Sequence, residues 1–357
     1  TFFSDLVGDG NDAIFQFDDT IRSLTINNNG TGDMYMLGGS NNEAIAGPRR
    51  METVSLNAIG GDLAISGDID SIRDLINLTL TADRGNYLAL DDIGSLNDFG
   101  DKDDFANGNE GYGRELEYVT IATGSNSGVF FDNLNAQYST VSTFNVTLAN
   151  DSVLVIDGNI RAQDVSDATF EIAEEAAFVH NDQWQLLNQG NNLKVFGGGE
   201  AINWVFDDET FANMDFSGLM GNGVNGIYLN FDDAVKGGSN VIATGLSDWI
   251  ESGEGNDTVD GGAGNDIIKD EAGNDILMGG AGNDYIHGGD GSDTVTGGSG
   301  GDVFLVGYVG AKQLDVITDF GVDADQMEIA LERIEQTIGD QVVNGIGFDV
   351  LAGDAVK

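Results

Sequence analysis

The chain has 357 residues, 61 of them Asp or Glu and 14 Lys or Arg, for a formal net charge of -47. Such a chain repels itself out of compactness unless cations neutralise part of the charge, and it suits neither nucleic acid nor anionic lipid as a partner. The absence of cysteine excludes a disulfide framework. No apolar run is long enough for a spanning helix, while 40% hydrophobic residues in short alternating runs of Val, Ile, Leu and Phe argue for β-structure over disorder.

The first motif in chain order is VGDGNDAIF, Val7 to Phe15, a glycine-rich nonapeptide centred on Asp12. A looser echo, GGSNNEAIA at Gly38 to Ala46, puts Glu43 at the acidic place. Asp12 is a candidate metal ligand and Glu43 a weaker one.

Residues 16 to 235 carry a longer repeat in which two short apolar alternations flank a polar turn. Val54 to Leu56 goes with Leu63 to Ile65, Leu78 to Leu80 with Leu88 to Leu90, Val119 to Ile121 with Val129 to Phe131, and Val146 to Leu148 with Leu154 to Ile156. FEI with FVH and LKV with INW follow. The first strands start at positions 54, 78, 119, 146, 170 and 193, and this spacing predicts an irregular parallel β-solenoid over 1–235 with two or more strands per coil. Asp91 to Gly113 reads as a surface insertion. A β-sandwich is the alternative, because short alternating strands with polar turns look the same in a single sequence.

From Ser252 the chain steps in nines: SGEGNDTVD, GGAGNDIIK, DEAGNDILM, GGAGNDYIH, GGDGSDTVT and GGSGGDVFL. The pattern is Gly-Gly-x-Gly-x-Asp-x-U-x. Its sixth position is Asp257, Asp266, Asp275, Asp284, Asp293 and Asp302, and its large apolar position is Val259, Ile268, Leu277, Ile286, Val295 and Phe304. A degenerate unit before it keeps Asp248 and Ile250 but replaces glycines with Ala243, Thr244 and Leu246. Glycines permit the tight left-handed turns that bring backbone carbonyls to one point, and each Asp adds charge. An all-oxygen cage suits Ca²⁺ at six to eight ligands better than zinc or copper. Two repeats make one coil, so metal is expected between Asp257, Asp275 and Asp293 on one edge. The other edge carries Asp266, Asp284 and Asp302, with Asp248 as an outer member. Asp270 and Glu271 replace the glycine pair of the third repeat, adding charge and stiffening that turn.

These residues resemble the RTX (repeats-in-toxin) family. The resemblance implies several bound Ca²⁺ ions in a parallel β-roll over 236–305, and export from a Gram-negative cell by type I secretion. A C-terminal cap and secretion region is expected over 306–357, where Asp315, Ile317, Asp319 and Phe320 fit the family's D-x-I-x-D-F stretch. The fold class expected for the whole chain is therefore all-β: solenoid, calcium-binding roll, cap.

Enzyme signatures are missing. The only histidines, His180 and His287, do not form H-E-x-x-H, and the one G-x-S-x-G match places Ser299 inside the nonapeptides. His180 reads as a solvated strand end and His287 as an exposed repeat position. Trp184, Trp204 and Trp249 read as packing residues more readily than as sugar platforms. The chain is thus expected to be a non-enzymatic, extracellular or cell-surface protein. One class is a structural subunit, resembling S-layer proteins, that assembles with copies of itself into an oligomer or lattice. The other is an adhesin or polysaccharide-binding or processing protein whose partner is a cell-surface polysaccharide.

Overall fold

The computed structural model describes residues 15–16, 21–37, 43–46, 52–66, 68–70, 75–93, 116–201, 203–207, 210–220, 225–232, 237–306, 315–321 and 323–329. They contain no helix, and their strands pair in parallel across successive coils of one solenoid. Side chains bonded one coil apart in the N-terminal part are mostly 24 to 26 residues apart in sequence, with 30 from Asn27 to Asn57 and 41 from Asp92 to Asn133.

These coils have three faces. The first stacks Ser23–Asn28, Thr53–Ala58, Asn77–Ala82 and Tyr118–Thr123, then the second halves of the long strands Leu134–Leu148 and Ile160–Ile172. Its register puts Val54, Leu78, Val119, Phe144, Ala168 and Leu193 side by side, all buried. The second face is a separate sheet from Met34–Leu37 through Leu63–Ser66, Tyr87–Leu90, Gly128–Phe131, Val153–Ile156 and Ala177–His180 to Glu200–Ala201. On the third, Leu134, Ile160 and Trp184 are in register.

Alternation explains these strands. In Thr53–Ala58 and Asn77–Ala82 every second side chain is buried, as a strand with one face on the core requires. Aromatics fill the interior between residues 144 and 216: Phe144, Phe170, Trp184, Trp204, Phe206, Phe211 and Phe216 are all less than 2% exposed. Phe170 meets Trp204 edge-on at 5.1 Å between ring centroids. The corner between the first and second faces is a left-handed residue in successive coils, with φ of 60° at Arg84, 57° at Asn126, 56° at Asp151 and 59° at Glu175.

Among the described residues the second face ends at Glu200–Ala201, and strands of the other two continue to pair beyond it. Phe211–Leu219 pairs with Asn240–Ile242, and Asn225–Asp232 with Ser247–Glu251. The coil then shortens to 18 residues with two faces, as the nonapeptide spacing predicts. One face carries Val259, Leu277 and Val295 in register, and the other Ile268, Ile286 and Phe304. These six are buried, and Val241 and Ile250 of the preceding coil continue the two rows.

The observed fold is the all-β parallel solenoid and roll that the sequence predicts, with one reassignment. The INW segment, read as the last second-face strand, instead sends Trp204 to the third face, where it pairs with Leu229. The two residues before it, Glu200–Ala201, form the second-face strand. The expected insertion at Asp91 to Gly113 lies mostly outside the described residues, although Ile93 bridges to Leu134.

Candidate metal centres

The turns of the roll sit along its two edges, and each repeats every coil. Asp257, Asp266, Asp275, Asp284, Asp293 and Asp302 are all at most 2% exposed. Their two carboxylate oxygens are in different situations.

Each Oδ1 accepts a backbone N–H from the coil before it. Ser239 donates to Asp257 at 2.6 Å, Asp248 to Asp266, Asp257 to Asp275 and Asp266 to Asp284 at 2.8 Å, and Asp275 to Asp293 and Asp284 to Asp302 at 3.0 Å. Each Oδ2 is buried and has no donor at all. An unpartnered buried carboxylate oxygen is costly, and the cost shows in proton affinity. Burial pushes the Asp257, Asp266 and Asp293 carboxyls up to about 7 and Asp284 to about 6, and neighbouring rungs of like charge push the same way.

The glycines explain how these oxygens come together. At the fourth position, a Cβ on Gly282 or Gly300 would overlap the carbonyl oxygen of Gly264 or Gly282 one coil earlier, so only glycine lets the carbonyls stack. At the first position, a Cβ on Gly261 would lie 2.8 Å from Asp266 Oδ2, and one on Gly288 2.6 Å from Asp293 Oδ2. The direction a first-position side chain would take therefore leads to the unpartnered oxygens. Carboxylate and carbonyl oxygens with no nitrogen or sulfur among them fit a hard divalent cation.

Asp248 differs from the six. Its Oδ1 accepts from Ile227 N–H at 2.6 Å and from Thr244 Oγ1 at 2.8 Å, and its Oδ2 accepts from Thr244 N–H and Oγ1, both at 2.9 Å. Thr244, which replaces a glycine, supplies the donors that the other rungs lack. Asp248, expected as an outer member of its edge, thus has both oxygens satisfied within the chain. Asp12 lies outside the described residues. Glu43 opens the strand Glu43–Ala46, whose backbone pairs with Asp68–Asp70.

Several site residues escaped the sequence reading. The fifth position, treated as free, carries a second ladder: Asn256 Oδ1 accepts from Asn274 N–H at 2.7 Å, Asn265 from Asn283 at 2.8 Å, and Asn283 from Gly301 at 2.7 Å. The recurring Asn-Asp pair was the available signal. Beyond the repeats, Asp315 and Asp325 extend the two aspartate ladders, accepting from Asp293 and Asp302 N–H at 3.2 Å. Asp315 was read only as part of the cap, and Asp325 lies outside the nine-residue register. In the third repeat neither Glu271 nor Gly273 is left-handed, and at the fourth position Gly291, paired with Gly273 one coil later, shares that form.

The remaining candidates sit elsewhere. His180 is 3% exposed, which corrects its reading as a solvated strand end. Its Nε2 lies 2.9 Å from the Gly158 carbonyl, and burial lowers its pKa to about 4. His287 is half-buried on the roll. Trp184 and Trp204 belong to the core, whereas Trp249 is on the outer surface with the Lys269 ammonium 4.5 Å from its ring centroid.

Residues 242–269 and 271–304 match the RTX calcium-binding nonapeptide repeat, in four copies. Neither a curated protein nor a solved structure matches the chain. These residues of the roll are thus RTX nonapeptide repeats, and such repeats bind several calcium ions.

Proposed function

We propose that the chain is an exported structural protein of a bacterial cell surface, in which Ca²⁺ held by the six nonapeptide aspartates folds the roll and then supports assembly of copies into a lattice, as in an S-layer. The observation that carries the reading is the row of six buried Oδ2 atoms without a donor along the two edges. Asp257, Asp266, Asp275, Asp284, Asp293 and Asp302 would each present Oδ2 to an ion that also takes glycine carbonyls from the stacked turns. Bound ion supplies the positive charge that the interior lacks, so ion binding and folding are one event.

Export by type I secretion is part of the same reading and rests on the resemblance of the repeats and of the D-x-I-x-D-F stretch at Asp315 to Phe320. Assembly rests on the net charge of -47, which keeps copies apart until divalent ions bridge them. No catalytic role is proposed. The test is a calcium titration followed by circular dichroism and by negative-stain electron microscopy on the same samples. Ordered sheets or filaments that form with calcium and dissolve with chelator support the lattice. Persistent monomers with an ordered roll reject it and leave binding of a surface polysaccharide as the function to screen.

A further inference from the structure

The third repeat breaks the nonapeptide pattern at one residue, and the family match is interrupted at that residue, Asp270. In the other repeats that direct this position at their own aspartate, glycine occupies it; here the side chain is a carboxylate, 3% exposed. Ser252, the equivalent residue one coil earlier and itself fully buried, donates its hydroxyl to Asp270 Oδ1 at 2.6 Å. That bond fixes the carboxylate's orientation and leaves Asp270 Oδ2 buried without a donor, alongside the Oδ2 atoms of Asp257 and Asp275. One ligand oxygen from each of Asp257, Asp270 and Asp275 lies within 4.8 Å of the other two. The neighbouring cation does not neutralise them, because Lys269 Nζ is turned to the outer surface, 3.4 Å from Glu251 and over the Trp249 ring.

We propose that Asp257, Asp270 and Asp275 form a three-carboxylate cation site, the tightest in the array and the one that takes a trivalent ion in preference to calcium. The inference rests on the calcium reading above and adds to it a ranking of the sites. Among the described residues, no other three carboxylates bring one ligand oxygen each this close together. A third carboxylate raises the charge count, which is the main lever on affinity in oxygen-ligand sites, and its attraction grows with the charge of the ion. The serine hydroxyl holds the extra ligand in place before the ion arrives, which reduces the cost of ordering it.

The experiment is calcium binding to the full chain by calorimetry, followed by competition with terbium(III), for the wild type, Asp270→Gly and Asp270→Asn. Wild type should show a first class of one ion about tenfold tighter than the rest. Terbium should displace that single calcium before any other. Asp270→Gly, which restores the repeat pattern, should lose the tight class and the terbium preference while circular dichroism still reports a calcium-ordered roll. Asp270→Asn keeps the shape without the charge and should match it. Equal or tighter first-ion binding in both variants overturns the proposal. A wild type that neither binds calcium nor orders with it overturns the underlying calcium reading instead.

Discussion

A carboxylate that is buried without a donor has two ways to lose its charge problem, an ion or a proton. The aspartates raised to about 7 and the histidine lowered to about 4 therefore make opposite predictions for the calcium-free chain. For Asp257 and Asp266 the folded pKa lies above the ordinary carboxylate value, so the folded roll binds more protons than the unfolded chain across pH 4 to 7. Calcium-free roll should gain structure as pH falls through that window and lose it as pH rises. Calcium should abolish the dependence, and far-UV circular dichroism against pH with and without chelator checks both. For His180 the unfolded state binds the extra proton between about 6.5 and 4, so the solenoid around it should weaken by about 3 kcal/mol as pH falls through that range. Trp184 is 6.3 Å from that imidazole by ring centroids, which makes tryptophan fluorescence the natural probe. Thr244 offers a third residue-scale test. Thr244→Val removes the hydroxyl that Asp248 uses and should cost about 1–2 kcal/mol without changing the number of ions bound; a lower ion count would mean Asp248 is a ligand after all.

The unit of this fold at the next scale is the turn, and its glycines are not equivalent. Gly282 has φ of 145° and its missing Cβ leaves the space filled by the Gly264 carbonyl. Gly321 has φ of 84° with open space around it. Gly282→Ala should therefore cost about 3 kcal/mol from combined overlap and strain, and Gly321→Ala only about 1 kcal/mol from strain. Equal effects in thermal unfolding of calcium-loaded protein would show that stacking of the carbonyls does not set the glycine requirement. The same distinction explains what could be read in advance. The nine-residue register fixed the aspartates, the apolar file and the coil of the roll, because each position has one physical job. The longer coils gave their first and second faces through alternation at Val54, Leu78 and Val119. Their third face was not legible, since segments such as Leu134 to Ala136 are short and run into the next strand without a turn signal. Thr244 looks like a simple loss of glycine, and only the assembled turn shows that it satisfies a carboxylate; the charge of Asp270 is legible in the sequence, but its place beside the oxygens of Asp257 and Asp275 is not.

Across the whole molecule, two faces continue from the solenoid into the roll, but what holds them together changes on the way. The solenoid has an aromatic and aliphatic interior, with Phe170, Trp184 and Trp204 in contact. The roll has one apolar side chain per nine residues and relies on its edges. Chelation should accordingly split unfolding into two events: residues from about 252 onward should lose amide protection at once, while Val119, Val146 and Leu193 stay protected. Simultaneous loss across both parts in hydrogen exchange would contradict this and show that the calcium edges support the solenoid too.

The rung made by Asp248 and Thr244 then acquires a further meaning. It closes its own hydrogen bonds without metal, and it stands where the dependence on metal begins. When calcium is withdrawn, unravelling should halt there. The chain would then end in two bare strand edges, Asn240–Ile242 and Ser247–Glu251, whose next partners, Thr258–Asp260 and Ile267–Lys269, have gone. Such an end is a template: it can rebuild its own roll when calcium returns, or accept the corresponding strands of another molecule.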